Sequence, residues 1–353
     1  MKIAVLISGG VDSSVALALL KEQGHDVTAF YLKIWLEDEL SYLGNCPWED
    51  DLDYVRKVCA QFHVPLEVVS MQQAYWQKVV TYTIDQVKAG RTPNPDVLCN
   101  QYVKFGAFYE CISDDYDYVA TGHYAQVEHR SDISLLKMAP DPIKDQTYFL
   151  CQLSQQQLRR ILFPIGHLQK TQVRQLAQQF DLPNKERKDS QGICFLGKFK
   201  FADFLHAKLG DRLGDLIEFE TGNVVGQHNG FWYYTIGQRQ GIRLSGGPWY
   251  VVDKDPAQNI VFISKQYQDA TEHKSGVIVN TMNWISGMPS NFSDLKLKFR
   301  HGADLHPVTI VNQNGAWVIT LLQESSQGIA AGQFAVLYDG DVCLGGGVID
   351  KAF

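Results

Sequence analysis

Apolar positions recur along this chain with two spacings, and the change from one to the other divides it. Residues 3–7 are an unbroken apolar run that predicts a buried strand. It leads directly into Ser8-Gly9-Gly10-Val11-Asp12-Ser13-Ser14 and an alanine- and leucine-rich helix. Residues 25–32, 66–70 and 116–121 predict further strands, and residues 51–62, 74–89 and 103–112 predict helices between them. The alternation is that of βαβ units, hence of a parallel sheet covered by helices. Residues 33–51 have no clean period and predict a loop. The prolines of Arg91-Thr92-Pro93-Asn94-Pro95-Asp96 predict a stiff loop that delays the next helix. A helix-rich stretch follows at about 154–182, with Ser154 and Thr171 as caps and Val173, Leu176, Ala177 and Phe180 on one face.

From about residue 201 the period shortens to two. Strands at 216–220, 224–226, 232–235, 250–253 and 260–263 predict a small β-rich module. Six more, at 277–280, 295–300, 306–311, 316–322, 333–338 and 342–349, predict a small barrel. The expected fold class is therefore α/β. A first domain spans residues 1–200, with the helices at 154–182 packing toward a β-rich adaptor at 201–272, and a C-terminal β-barrel at 273–353 follows.

Composition narrows the class. At 353 residues the chain is long enough for two or three cores, and 45% hydrophobic and 20% charged residues are those of a soluble globular protein. No apolar run nears the roughly 20 residues of a membrane helix, and Met1 leads straight into a strand, so the expected location is cytoplasmic, the alternative being an organelle protein without its leader. The seven cysteines are scattered without a C-x-x-C pair, which argues against a zinc site or a disulfide framework. A net charge of −7 opposes a nucleic-acid partner unless basic residues gather on one face.

The first turn carries the chemistry. Its two glycines permit close approach of backbone to ligand, and the following helix opens with unpaired N–H groups, a combination suited to phosphate. No lysine follows Gly10, so a Walker loop is excluded and pyrophosphate must be held by N–H groups and serine hydroxyls. In an open α/β sheet, Ser8 to Ser13, Leu32 and Gly122-His123 should converge beyond the strands' carboxyl ends.

The heptad SGGVDSS resembles the PP-loop of ATP pyrophosphatases. Together with GRTPNPDVLCN, ATGHYA, KDQTYFL, DSQGICF, YTIGQRQG, PWYVVDKD, AGQFAVLY and CLGGGVI, it resembles the bacterial-type tRNA-specific 2-thiouridylases from end to end. The resemblance implies ATP-dependent adenylation of the C2 oxygen of a wobble uridine, then sulfur delivery from a cysteine persulfide. It implies ATP contacts at Leu6, Ile7, Ser8, Gly9, Gly10, Val11, Asp12, Ser13, Leu32 and Gly122, with Asp12 a partner for Mg²⁺. Cys194 matches the persulfide cysteine, Cys99 the cysteine that closes a disulfide with it, and Asp96 the general acid or base. Contacts to tRNA are implied at Asn94, Pro95, Asp96, His123, Lys144, Asp145, Gln146, Arg300, His301 and Gln333. The implied partners are tRNA and a persulfide donor protein, either a cysteine desulfurase or a sulfur relay protein.

Further basic residues, Arg159, Arg160, Arg187, Lys188, Lys198, Lys200, Arg239, Arg243, Lys296 and Lys298, are candidates for a track along the RNA backbone. The chain departs from the family pattern at Leu32-Lys33-Ile34-Trp35, where M-K-N-W is usual, at His301 in place of tyrosine, at Gln191 and at Ser245-Gly246-Gly247. Two other readings remain open: a PP-loop synthetase acting on a small molecule, and a tRNA-binding protein with a vestigial nucleotide site.

Overall fold

The computed structural model describes residues 1–34, 48–189, 201–266, 274–323 and 328–353. Its first body is a five-stranded parallel sheet of β1 (Lys2–Leu6), β2 (Asp26–Lys33), β3 (Leu66–Ser70), β4 (Tyr118–Thr121) and β7 (Ile161–Leu162), in the order β3-β2-β1-β4-β7. Strand β1 is central because its residues can be buried on both faces: Ile3, Ala4 and Val5 have no exposed surface. Helix α1 (Val11–Glu22) and α2 (Trp48–Gln61) cover the sheet, α2 through Leu52, Val55, Val58 and Cys59. Helix α3 runs through Gln72–Tyr75, Trp76–Val80 and Thr81–Lys88.

Helix α4 corrects the sequence reading. It runs through Pro95–Leu98, Cys99–Ala107 and Phe108–Cys111, so it begins well before residue 103. Asn94 is its extended cap (φ −117°, ψ 95°) and accepts the Val97 N–H, while Pro95 takes the first helical position. Proline fits there because the N–H it lacks would have had no partner. The prolines therefore set the start of this helix instead of postponing it.

A hairpin of β5 (Ala125–His129) and β6 (Ser134–Met138), absent from the sequence reading, follows β4. After the short α5 (Gln155–Leu158), helix α6 (Lys170–Gln179) starts with Gln169, not Thr171, at its cap. Val173 and Ala177 pack with Val15 and Ala16 of α1, so this face of α6 is buried in the first body. Burying Val173 completely stabilises this contact by about 1.5–3 kcal/mol.

The adaptor opens with α7 (Phe201–Leu209). Its sheet contains β8 (Gly214–Glu218), β9 (Val224–His228), β10 (Tyr250–Asp255) and β11 (Ile260–Ser264), in the order β10-β11-β8-β9. Phe231–Tyr233 is a 3₁₀ turn, not the strand expected at 232–235. The last body holds β12 (Gly276–Val279), β13 (Asn283–Trp284), β14 (Lys296–Lys298), β15 (His306–Gln313), β16 (Ala316–Leu321), β17 (Phe334–Asp339) and β18 (Val342–Ala352). Pairing runs β12-β16-β15-β14-β17-β18 and closes through β12–β18 into a six-stranded barrel, with the two-residue β13 added beside β18. Closure removes the sheet edges.

The barrel is joined to the first body. Strand β6 pairs with β18, Val342 opposite Lys137. Asp145 and Lys298, 0% and 1% exposed, form an ion pair at 2.9 Å across the junction. Asp145 also accepts from the Ala139 N–H and the Thr147 hydroxyl, as a buried charge requires.

Candidate active site

The turn after β1 is shaped by its own hydroxyls. The Ser8 N–H donates to Ser13 Oγ at 3.2 Å, and the Ser13 and Ser14 hydroxyls donate to the Gly10 carbonyl at 3.1 and 2.9 Å. Gly10 caps α1 with no side chain to satisfy the first-turn N–H groups, which leaves them for an anion. Gly9 needs its φ of +76°, and a Cβ there would stand 2.6 Å from the Asp51 carbonyl oxygen. Leu6, Ile7 and Val11 are buried, so their side chains serve the core and only their backbone is available to a nucleotide. Leu32 is half-buried at the end of β2.

Beta4 ends beside this turn. A Cβ on Gly122 would lie 2.6 Å from Ser13 N and 2.8 Å from Asp12 C, so the backbones touch where the sheet order reverses. The neighbouring His123 is buried, its Nδ1 2.7 Å from Thr121 Oγ1 and its ring between Phe105 and Phe163. Burial, aided by the Lys104 charge, pushes its pKa well below the usual range, so it is neutral. The expectation of a tRNA contact at His123 meets a side chain packed in the core.

Groups distant in sequence hold the turn from outside; the sequence names Arg187 and Lys144 as candidates on the RNA side and does not single out Asn184, Lys170 or Arg174. Asn184, 1% exposed, donates to the Gly9 carbonyl at 2.8 Å and to Ser14 Oγ at 2.9 Å. Arg187 donates to the same carbonyl at 3.1 Å and pairs with Asp51. Because a trans peptide sets C=O and N–H on opposite sides, fixing the Gly9 carbonyl also fixes where the Gly10 N–H points. Asp12 accepts from Tyr124 OH at 2.9 Å and from Lys170 Nζ at 2.7 and 2.9 Å. Lys170 reaches Asp189 at 2.8 Å, and Lys144 and Arg174 meet the same carboxylate at 2.7 and 2.6 Å. Burial raises the Asp189 pKa, but hydrogen bonds from Lys144 and Lys170 outweigh it and hold it well below the usual carboxylate range. Lys170, Asn184 and Arg187 meet the turn from 158 to 178 residues away and have no periodic signature.

Asp96 and Cys99 share the first turns of α4, and Cys99 is 1% exposed. Burial pushes its thiol up to about 11, with Lys104 pulling it down and Asp96 pushing it further up. The Lys104 charge lowers the pKa of both Cys99 and His123. Cys194 lies outside the described residues. Cys59, Cys99, Cys111, Cys151 and Cys343 are free thiols.

The expected RNA contacts divide. Arg300 and His301 are exposed, and His301 stacks on Phe149 at 4.7 Å and bonds the Asp145 carbonyl. Asn94 and Lys144 are partly exposed, whereas Pro95 is buried. Asp145 differs from the expectation, since its carboxylate is spent on Lys298. Gln146 exchanges hydrogen bonds with the Tyr124 backbone. Gln333 donates to the carbonyls of Thr92 and Pro93. The basic track also loses members: Lys298 is buried, Arg187 faces the Gly9 turn, and Arg159 and Arg160 bond backbone carbonyls. Lys198 and Lys200 lie outside the described residues.

Asp12 is committed to Lys170 and Tyr124, and among the described residues no three His, Cys, Asp or Glu side chains could hold an ion together.

A parallel sheet with a glycine-serine phosphate turn at its switch point, followed by two β domains, defines a PP-loop nucleotide-binding protein. Family models agree: one described as tRNA methyl transferase HUP domain matches residues 1–198, tRNA methyl transferase PRC-barrel domain matches 202–265, and Aminomethyltransferase beta-barrel domain matches 274–349. The chain is 44% identical over 355 residues to the tRNA-specific 2-thiouridylase MnmA of Parabacteroides distasonis, covering 99% of both. It is 43% identical over 357 residues to tRNA-specific 2-thiouridylase MnmA 1 of Bacteroides thetaiotaomicron, and 41% over 361 residues to MnmA of Porphyromonas gingivalis, with 99% of this chain covered each time. The chain belongs to the tRNA-specific 2-thiouridylase family. The words methyl transferase in two model descriptions disagree with these names; the relatives match over the whole length, and the site is a phosphate turn, so the relatives decide.

Proposed function

We propose that the protein is a tRNA-uridine 2-sulfurtransferase that converts the wobble uridine of tRNA to 2-thiouridine with consumption of ATP. A urea-like C2 oxygen is a poor leaving group, so it is first made into an adenylate. The C2 oxygen attacks the α-phosphorus of ATP and pyrophosphate departs into the Ser8–Ser13 turn. The outer sulfur of a Cys194 persulfide then adds to C2. The Cys99 thiolate attacks Cys194 Sγ, the S–S bond of the persulfide breaks, and AMP leaves with the original oxygen. The products are 2-thiouridine, AMP, pyrophosphate and a Cys99–Cys194 disulfide, which an external thiol reduces before the next cycle.

In this reading Asn94 and Pro95 line the extruded base, and Asp96 moves its proton. Cys99 is shielded and protonated as it stands, so RNA binding has to uncover it. Arg300, His301, Lys144 and Gln146 supply contacts on the RNA side. Mg²⁺ arrives with the nucleotide, held mainly by phosphate oxygens, and no protein step above depends on it. A persulfide-bearing donor protein charges Cys194, and the setting is the cytoplasm. The domains are residues 1–200, 201–272 and 273–353.

The observation that supports this most is the pair of hydrogen bonds that Asn184 and Arg187 donate to the Gly9 carbonyl. Through it, the segment that leads into the Cys194 motif is tied to the nucleotide turn. A small-molecule synthetase would have no use for a barrel that braces the Thr92–Pro93 loop. The test is incubation of the purified protein with ATP, Mg²⁺, a cysteine desulfurase with cysteine, and unmodified tRNA, followed by nucleoside mass spectrometry. The expected product is 2-thiouridine at the wobble position; its absence, under conditions where the Parabacteroides relative forms it, rejects the proposal.

A further inference from the structure

The phosphate turn contains no cation, yet triphosphate carries several negative charges and the departing pyrophosphate must be stabilised. Asp12, in the first turn of α1, adds a carboxylate beside the N–H groups that await phosphate. Left uncompensated at a few ångströms, it would repel the ligand that the helix end attracts. Lys170 removes this conflict. It is the first residue of α6, its side chain is 14% exposed, and it sits between the Asp12 and Asp189 carboxylates while its ammonium lies 5.7 Å from the Tyr124 ring centre.

Around these two carboxylates stand three cations, Lys144, Lys170 and Arg174, and Asp141, which accepts the Lys170 and Lys144 backbone N–H groups, brings the acids to three, so the cluster is balanced until a phosphate takes an acid's place. Of the three cations, Lys170 alone touches a residue of the phosphate turn. Arg174 is also committed to the carbonyls of Lys185 and Arg187, and Lys144 to Asp189. A lysine shared by two acids can exchange either of them for a phosphate oxygen without leaving its place, because an ammonium on a four-carbon stem has three rotatable donors.

We propose that Lys170 is a catalytic residue: it contacts the phosphates that leave as pyrophosphate and supplies the positive charge that the turn itself lacks. This rests on the PP-loop reading above. Titration calorimetry with ATP, pyrophosphate and AMP, on the wild type and on Lys170→Met and Lys170→Arg, tests it. Lys170→Met should weaken ATP and pyrophosphate at least tenfold and AMP less than twofold; Lys170→Arg should restore ATP to within about threefold. An equal loss for AMP would mean that Lys170 only shapes the turn, and no loss for ATP would mean that it does not meet the phosphates; either overturns the proposal. If Lys170→Met fails to fold, Asp189→Asn decides, since freeing Lys170 should tighten pyrophosphate several-fold and AMP hardly at all, and unchanged pyrophosphate binding rejects the idea. A wild-type protein that binds neither ATP nor pyrophosphate would instead overturn the PP-loop reading itself.

Discussion

Gln333 of the barrel donates its side-chain amide to the carbonyl of Thr92 at 2.8 Å, across 241 residues of sequence. The Thr92 N–H in turn donates to the Ala331 carbonyl at 2.8 Å, and a Cβ on Gly332 would come within 2.9 Å of Thr92 N. The barrel therefore braces the loop that ends in Asn94, the cap of the helix carrying Asp96 and Cys99.

Replacing Gln333 with alanine should loosen this loop without unfolding either body. A hydrogen bond of this kind contributes about 0.5–1.5 kcal/mol, so kcat/KM for tRNA should fall roughly three- to tenfold. Steady-state thiolation rates at varied tRNA check this, and a thermal midpoint within about 2 °C of wild type confirms an intact fold.

Asp145 and Lys298 make a second link between the same two bodies, this time in the interior. Lys298→Met should leave the Asp145 carboxylate buried without its cation and cost about 3–5 kcal/mol. Adding Asp145→Asn should return most of that loss. Urea unfolding midpoints of the single and double variants measure it, and equal destabilisation by both would show that the charge is not the cause.

Cys99 predicts a pH dependence with a definite sign. Its pKa of about 11 means that the thiolate fraction rises about tenfold for each pH unit between 7 and 10. Alkylation of Cys99 by iodoacetamide in the RNA-free protein should therefore be slow at pH 7 and climb log-linearly with pH, as followed by peptide mass spectrometry. Because burial raises the pKa in the folded state, the native form holds the proton more tightly than the unfolded chain. The stability this contributes is complete below the ordinary thiol pKa of 9.0 and is lost progressively as pH rises toward 11. Cys59, also at about 11, and Cys343, at about 12, act in the same direction, so unfolding midpoints should decline above about pH 9.

Gly122→Ala probes the contact between β4 and the phosphate turn. The new methyl would press on the Ser13 backbone at 2.6 Å, where nothing flexible can give way. ATP affinity should fall at least tenfold while tRNA binding, measured by filter retention, stays within about twofold.

Much of this was legible in the sequence. The phosphate turn is seven contiguous residues after an apolar strand, and the parallel sheet follows from runs such as Ile3–Ile7 that can be buried on both faces. The six barrel strands are found from their short apolar runs, though β17 is buried at five consecutive positions and does not alternate, whereas β13 at two residues is too short to show a period. The prolines of the 91–96 segment misled because proline both forbids a helix behind it and starts one at its own position. The family resemblance implies an RNA contact at Lys144-Asp145-Gln146, and only the folded chain reveals that Lys298, facing inward from β14, draws Asp145 into the core. Lys170, Asn184 and Asp189 could not be found from spacing at all. Lys170 and Asn184 meet the turn from 158 or more residues away and Asp189 pairs with Lys170, relations that no local pattern encodes.

The central claim is that activation by nucleotide and delivery of sulfur are separate steps, assigned to the Gly9 turn and to Cys194. Cys194→Ser separates them. With ATP, Mg²⁺, unmodified tRNA and the desulfurase system, the variant should release pyrophosphate in a tRNA-dependent manner while nucleoside mass spectrometry finds no 2-thiouridine. Normal 2-thiouridine formation by Cys194→Ser would contradict the account.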